Sequence, residues 1–449
     1  MKNLPIIKIN KKPTYIKFAE AVDFFELFQK VEQSFDTCFI YESLGEEGKF
    51  ARFSIMGFDP EHIISARGNS LFFDEKEYPV ENPYFALREI VPQDIIAQNY
   101  VGGLIGYLSY EAVNYFESAV QVKVHELFDQ FMFGVYTDGL ILDKLTGELF
   151  YFYYTKNRLD EIKKNMRTKI KQKKIKVKFL QDGLSKKEHA EIVEKVKEQI
   201  KADNTFQCEV GFKTEFNLTG DTLQIYKKLK KVNPSPFMYY LKFREKKIIG
   251  ASPELLFSLR YGEMTTRPLA GTIRRGKTDK EDQQLSRKLL NDPKERAEHK
   301  MLVDMQRNDI GKVSKFGTVR VKELMTIKKF EYVQHISSEV VGLIKKGEDM
   351  FSGLAGNFPM GTICGTPKVE TIKIIDQNEK DARGPYGGGV GHFGFNGECT
   401  FALAIRSLFI AGTYAYSQTS SGIVYDSVAE KEYEEIINKL AAMRKVLNV

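Results

Sequence analysis

PFMYYLKFREKKIIGASPELLFSLRYGEMTTRPLAG, residues 236–271, holds four apolar runs of strand length in quick succession. PFMYYLKF, KKIIGAS, LLFSLRYG and EMTTRPLAG are rich in Phe, Tyr, Ile, Leu and Thr, and only short breaks part them. Outward from this stretch, FQCEVGFKTEF precedes it, and HFGFNG, FALAIRSLFI and TYAYSQTSS follow it with the same texture. The N-terminal third adds TCFIYES, GGLIGYLSY, FMFGVYTDGLILD and ELFYFYYT. Helical signals are fewer. Lys156 to about Lys201 reads as helix, basic connector and helix, with Ile192, Val193, Val196 and Ile200 at helical spacing. Two strong helices are predicted near 281–307 and 428–446. No fixed-period repeat is present, and the pattern predicts an α+β protein built on large antiparallel sheets.

The 449 residues are 42% apolar, enough for a large core. No run approaches the roughly 18–20 uninterrupted apolar residues of a membrane-spanning helix. The start, MKNLPIIKINKKPTYIK, lacks the apolar core of a signal peptide. Cys38, Cys208, Cys364 and Cys399 are scattered without a C-x-x-C pair, which fits a reducing cytoplasm and argues against a zinc site or disulfide framework. The net charge is +7, and residues 155–178 are dense in lysine. That segment reads either as a nucleic-acid patch or as a solvated helix face and linker. It lacks interleaved stacking aromatics, so no nucleic-acid partner is expected.

Two helices carry acidic pairs. In NDPKERAEHKMLVDMQRND, 291–309, Asp292 suits a helix cap and Pro293 its first turn. Ala297, Met301, Leu302 and Met305 would form an apolar stripe, with Glu298 inside it and Glu295 at its edge. In DSVAEKEYEEIINKLAAMRKVL, 426–447, Ser427 and Glu430 match a capping box, and Glu432, Glu435 and Lys439 line one edge of the core stripe. A carboxylate facing a core needs compensation, by an arginine or by a metal ion. Two Glu-x-x-Glu helices would suit Mg²⁺, which prefers oxygen ligands and retains waters; His299 points away, so zinc fits less well. GPYGGGVGHFGFNG, PMGTICGTPK and SSGIV are glycine-rich loops that serve either as tight turns or as backbone cradles for an anion.

RPLAGTIRRG, ERAEHKMLVDMQRNDIG, GTICGTPK, RGPYGGGVGHFGFNGE, AIRS and GIVYDSVAEKEYEE stand in the order and spacing of the chorismate-binding enzyme family. The chain resembles that family densely from about residue 200 onward and more loosely over the first 150. The resemblance implies one large domain of two stacked antiparallel β-sheets with helices outside. Residues 190–449 would form the chorismate-binding catalytic region, and residues 1–150 would carry a feedback pocket within the same fold. It also implies chorismate as substrate and Mg²⁺ as cofactor.

Carried over by position, Glu298 and Glu435 match direct Mg²⁺ ligands, and Glu295 and Glu432 match acids that hold the metal's waters. Glu254 matches the general acid for the departing hydroxyl, and His335 a histidine assigned to pyruvate elimination. Tyr386 and Arg406 match groups that hold the enolpyruvyl carboxylate. Ala270, Gly271, Thr272, Thr362, Gly389, Ser420, Gly422 and Lys439 match further substrate contacts. Gln207 stands where isochorismate and salicylate synthases carry a water-activating lysine; an amide cannot deprotonate water, so ammonia is the expected nucleophile. Ala270 replaces the lysine of many aminodeoxychorismate synthases, which favours the anthranilate synthase component I branch.

IYESLGEEGKFARFSIMG and NPSPFMYYL resemble the segments that form a tryptophan feedback pocket, with Glu42, Ser43, Arg52, Pro234, Ser235 and Met238 as its candidates. They serve otherwise as a strand and a turn leading into a strand. No G-x-C-x-G glutaminase elbow is present, so a separate glutamine amidotransferase subunit is the expected ammonia source. Aminodeoxychorismate synthesis is the alternative, and a silent or nucleic-acid-binding protein the reading from another class. The chain departs from the family at Ser420, Cys364, Thr366 and His392.

Overall fold

The opening meander does not stay in one sheet. In the computed structural model, Phe237–Phe243 and Lys246–Ser252 pair in a first sheet, whereas Leu255–Arg260 and Glu263–Arg267 belong to a second. The chain changes sheets across Pro253 and Glu254. FALAIRSLFI is likewise not one strand: Cys399–Leu403 lies in the second sheet and Ser407–Ala411 in the first, with Arg406 at the crossing. The two crossings touch. Leu403 N–H donates to the Glu254 carbonyl (3.0 Å) and Ala251 N–H to the Arg406 carbonyl (3.4 Å).

Among the described residues each sheet has twelve strands, and every pairing is antiparallel. The structure describes residues 4–9, 12–19, 22–44, 52–96, 100–171, 173–331 and 333–449. Both sheets draw strands from the first 150 residues and from the C-terminal half. In the first sheet Thr37–Glu42 pairs Phe237–Phe243; in the second Gly103–Leu108 pairs Gly389–Gly394. The sheets face each other through aromatic contacts such as Phe39–Tyr136 (4.8 Å, edge-on) and Tyr107–Phe243 (6.4 Å). Ten α-helices, among the described residues, pack around them. This is the α+β class that the strand pattern predicts and the pair of stacked antiparallel sheets that the family resemblance implies.

Helices outside the sheets place the acidic pairs. Asp292 ends Asp279–Asn291 and caps Pro293–Val313, accepting from the N–H groups of Lys294 (2.9 Å) and Glu295 (3.2 Å). The helix predicted over 281–307 is therefore two, hinged at Asp292–Pro293. Its apolar stripe also differs: Ala297 is exposed, and the buried face runs through His299, Leu302, Val303, Gln306 and Ile310. The capping box at Ser427 and Glu430 does not form. Val428 caps Ala429–Leu447, and the Ser427 hydroxyl instead accepts from Val424 N–H.

The basic connector contains an edge strand, Lys176–Asp182, which pairs Gln207–Thr219. Its lysines are those of an edge guarded by charge. No helix among the described residues is long and apolar enough to cross a membrane.

Candidate active site

The paired crossings bring Glu254 and Arg406 to one end of the sheets. Glu254 is 4% exposed. Its Oε1 accepts from the Thr362 hydroxyl (2.9 Å) and from Leu269 N–H (3.2 Å). Burial nevertheless pushes its carboxyl up to about 7, so much of it carries a proton at neutral pH.

Gly271 interrupts the pairing of Leu269–Arg274 with Val333–Leu343: Ala270 faces Ile336 and Thr272 faces His335, and Gly271 is left between them at φ 65°. That is a bulge only glycine adopts without strain. A Cβ there would also stand 2.7 Å from Glu295 Oε2. The bulge aims the Gly271 carbonyl at His335 Nδ1 (2.8 Å), with the Thr272 hydroxyl at 3.1 Å. The other ring nitrogen, Nε2, receives a hydrogen bond from Arg406 Nη2 (3.2 Å). Arg406 itself has φ 51°, a left-handed conformation costly for a side-chain-bearing residue.

On the first sheet, Gln207 and Glu209 project from one face of Gln207–Thr219, two residues apart. Gln207 Nε2 donates to Glu298 Oε1 (3.3 Å), which ties the strand to the first acidic helix. Glu209 lies directly across from Gly422. Ser420 donates to Glu209 Oε2 (2.7 Å) and accepts from the Tyr386 hydroxyl (3.0 Å). Lys439 Nζ holds the Ser420 carbonyl (2.8 Å) and pairs Glu435 (2.7 Å). Gly389 is turned elsewhere: a Cβ there would meet Phe401 and Leu256 in the core.

Behind these groups, buried Arg383 pairs Glu379 and donates to the carbonyls of Ile363 (2.7 Å) and Glu209 (2.9 Å). It ties the 359–368 loop to the Gln207 strand. Sequence reading missed Glu209, Glu379 and Arg383 as site residues. The alternation Gln207–Cys208–Glu209 was the available signal for the first.

Whether the four helix carboxylates suit a metal can be tested on their surroundings. Among the described residues, no three His, Cys, Asp or Glu side chains form a ready-made cage. Yet Glu432 is 7% exposed and its carboxylate makes no hydrogen bond or ion pair among the described residues. Partial burial, together with neighbouring acids that include Glu435, raises the carboxyls of both Glu295 and Glu298 above the ordinary range; Glu298 also bears on Glu295. An under-compensated, all-oxygen donor set fits a hard cation that completes its shell with waters and substrate oxygens.

Three of the feedback candidates, Glu42, Ser43 and Met238, lie elsewhere, at a cavity of about 180 Å³ between the sheets. Tyr41, Ser43, Phe53, Tyr100, Phe237 and His392 are among its walls. Glu42 and Met238 border it, but the Glu42 carboxylate accepts from Tyr226 (2.8 Å) and Lys230 (2.9 Å), and Met238 packs in the helix-side core. Arg52 is bound to Asp143 (2.7 Å), and neither it, Pro234 nor Ser235 lines the cavity. His392 belongs to this cavity and not to the catalytic end.

The two stacked sheets are those of a known class: the chain belongs to the chorismate-binding enzyme family, whose profile, described as chorismate binding enzyme, matches residues 36–445. Within it, the chain is 50% identical over 454 residues to anthranilate synthase component 1 of Leptospira biflexa, covering 99% of this chain and 98% of that one. It is 34% identical over 456 residues to aminodeoxychorismate synthase component 1 of Bacillus subtilis (strain 168), covering 95% of each. The crystal structure of anthranilate synthase component I from Streptococcus pneumoniae TIGR4 superimposes with a TM-score of 0.79 at 29% identity, over 89% of this chain and 94% of that one.

Proposed function

We propose that this chain is the chorismate-aminating subunit of an anthranilate synthase. It converts chorismate and ammonia to anthranilate and pyruvate through 2-amino-2-deoxyisochorismate, in a reducing cytoplasm, with Mg²⁺ as cofactor and tryptophan as inhibitor. The observation that carries the reading is the combination of a proton-bearing Glu254 with an amide at Gln207. The site has an acid for the leaving hydroxyl but no amine where a water-activating base would stand.

Glu254 gives its proton to the departing hydroxyl, which leaves as water. Arg406 and Tyr386 take the enolpyruvyl carboxylate. As the guanidinium moves onto that anion it releases His335 Nε2, which becomes a free base for the elimination step, while the Gly271 carbonyl keeps the proton on Nδ1. Glu298 and Glu435 would hold Mg²⁺, with Glu295 and Glu432 holding its waters. The bound ion would neutralise the ring carboxylate. Ammonia would come from a glutamine amidotransferase subunit, so the isolated chain should use ammonium but not glutamine.

The test is anthranilate fluorescence from the purified chain with chorismate, Mg²⁺ and ammonium, with and without EDTA. An EDTA-sensitive rise supports the reading. Chorismate consumption without fluorescence, yielding 4-aminobenzoate once a lyase is added, would replace it with aminodeoxychorismate synthesis. The 34% identical relative keeps that second reading in view.

A further inference from the structure

Two acceptor oxygens in the site have no donor among the described residues. Gln207 is 2% exposed, and its Nε2 is engaged by the Glu298 carboxylate, yet its Oε1 is buried without a partner. Glu209 is 8% exposed; its Oε2 receives the Ser420 hydroxyl, while its Oε1 accepts no hydrogen bond among the described residues. The two side chains flank one point beside the bare backbone of Gly422. A Cβ there would stand 2.5 Å from Gln207 Nε2 and 2.7 Å from Glu209 Oε1. The Gln207 atom nearest that point is its amide nitrogen, so the acceptor that faces the point is Glu209 Oε1. A buried carboxylate oxygen without a donor is costly, and a small cation with N–H donors satisfies it.

We propose that Glu209, beside the bare backbone of Gly422, forms the ammonium site of this enzyme, and that the Glu209 carboxylate takes the proton that turns ammonium into the attacking ammonia. This rests on the amination reaction proposed above. The step balances: ammonium loses one proton to Glu209, the C–N bond forms as the C–O bond of the leaving hydroxyl breaks, and Glu254 supplies the proton that makes that hydroxyl water. The new C–NH₃⁺ group then sheds its extra proton to solvent. Several charged groups surround Glu209. Lys439 and Glu435 approach from Ala429–Leu447, Glu298 from Pro293–Val313, Glu254 from the sheet crossing, and Arg383 binds its carbonyl. Burial raises the Glu209 carboxyl to about 7, against the pull of Lys439 and the Ser420 hydroxyl. It is therefore matched to receiving and releasing a proton near neutrality. The Ser420 hydroxyl fixes its orientation through Oε2 and leaves Oε1 for the ligand.

The experiment measures kcat and KM for ammonium chloride and for chorismate, across pH, in the wild type and in Glu209→Gln. Glu209→Gln should lower kcat/KM for ammonium by about 100-fold, a typical general-base contribution. It should leave the chorismate KM within about threefold and remove the rise in rate with pH below neutrality. An ammonium kcat/KM within about threefold of wild type would overturn the site, as would a chorismate KM that worsens in step with the ammonium term. If Glu209→Gln does not fold, Glu209→Asp carries the test: a raised ammonium KM with the acid limb retained is expected, and an unchanged ammonium KM refutes the assignment. A wild type that does not aminate chorismate sinks the function itself. An active wild type with an equally active Glu209→Gln sinks only this site.

Discussion

Arg406 Nη2 lies 3.2 Å from His335 Nε2, while the Gly271 carbonyl lies 2.8 Å from the ring's other nitrogen. A guanidinium can only donate and a carbonyl can only accept, so the imidazole is neutral with its proton on Nδ1. Burial and the Arg406 charge push it down to about 3. Nitrogen NMR of the labelled ring should show one neutral tautomer, unchanged from about pH 5 to about pH 8. A ring that protonates near its ordinary value in the ligand-free protein would contradict the arrangement.

Glu254 must hold a proton to act, and its carboxyl is raised to about 7. Turnover should therefore fall as pH rises through neutrality. Glu254→Gln should cost about 10²–10⁴ in kcat while the protein still binds chorismate in a calorimeter. Loss of binding together with activity would make Glu254 a structural residue.

Glu298→Gln and Glu432→Gln should each weaken Mg²⁺ by about 10–100-fold, measured by calorimetric titration in the presence of chorismate. Their melting temperatures without metal should match or exceed that of the wild type, because each substitution removes an under-compensated carboxylate. Unchanged Mg²⁺ affinity in both variants would remove the acidic helices from the metal site.

Acid should destabilise the fold through its buried histidines. His125, His189, His299 and His392 are pushed down to about 4 by burial, below the ordinary value near 6.5. The unfolded chain takes those protons first, so stability present above about pH 6.5 is lost progressively as pH falls toward about 4. His189 sits against Phe212 and Tyr433 with both ring nitrogens unpartnered among the described residues. His189→Leu should raise the urea midpoint by the equivalent of about 1 kcal/mol and flatten the decline between about pH 6.5 and about pH 5. An acid decline as steep as in wild type would show that this ring does not contribute.

Tryptophan should bind the cavity between the sheets and raise the melting temperature. Thr400→Phe would direct bulk into that cavity from a partly exposed position opposite His392. It should abolish the thermal shift and the inhibition while leaving uninhibited turnover near wild type. Inhibition that survives Thr400→Phe would move the tryptophan site elsewhere.

Much of the fold is legible residue by residue. The apolar runs at 37–42, 103–108, 237–243 and 246–252 are strands because Phe, Tyr, Ile and Val suit a pleated surface buried on both sides. Asp292–Pro293 reads correctly as a helix start because a cap and a fixed φ act locally. The edge strand Lys176–Asp182 was illegible. Its lysines look like a linker, and only pairing to Gln207–Thr219 makes it a strand. Glu42 and Met238 border the cavity, while Met238 packs its side chain in the helix-side core and the Glu42 carboxylate binds Tyr226 and Lys230; strand alternation sets this, and sequence alone does not say which face is which.

By itself, the sequence determined which residue types stand in which local elements: the strand-forming runs, the acidic helices and the Asp292 cap of the first, and an amide at 207 with a carboxyl at 254. Only the tertiary structure decided that the chain changes sheets at Glu254 and again at Arg406, that those crossings touch, and that Glu209 meets Ser420 across 211 residues of chain. The reason is physical. Propensity and capping act over a few neighbouring residues, whereas burial, proton affinity and unpartnered oxygens arise where distant segments exclude water together.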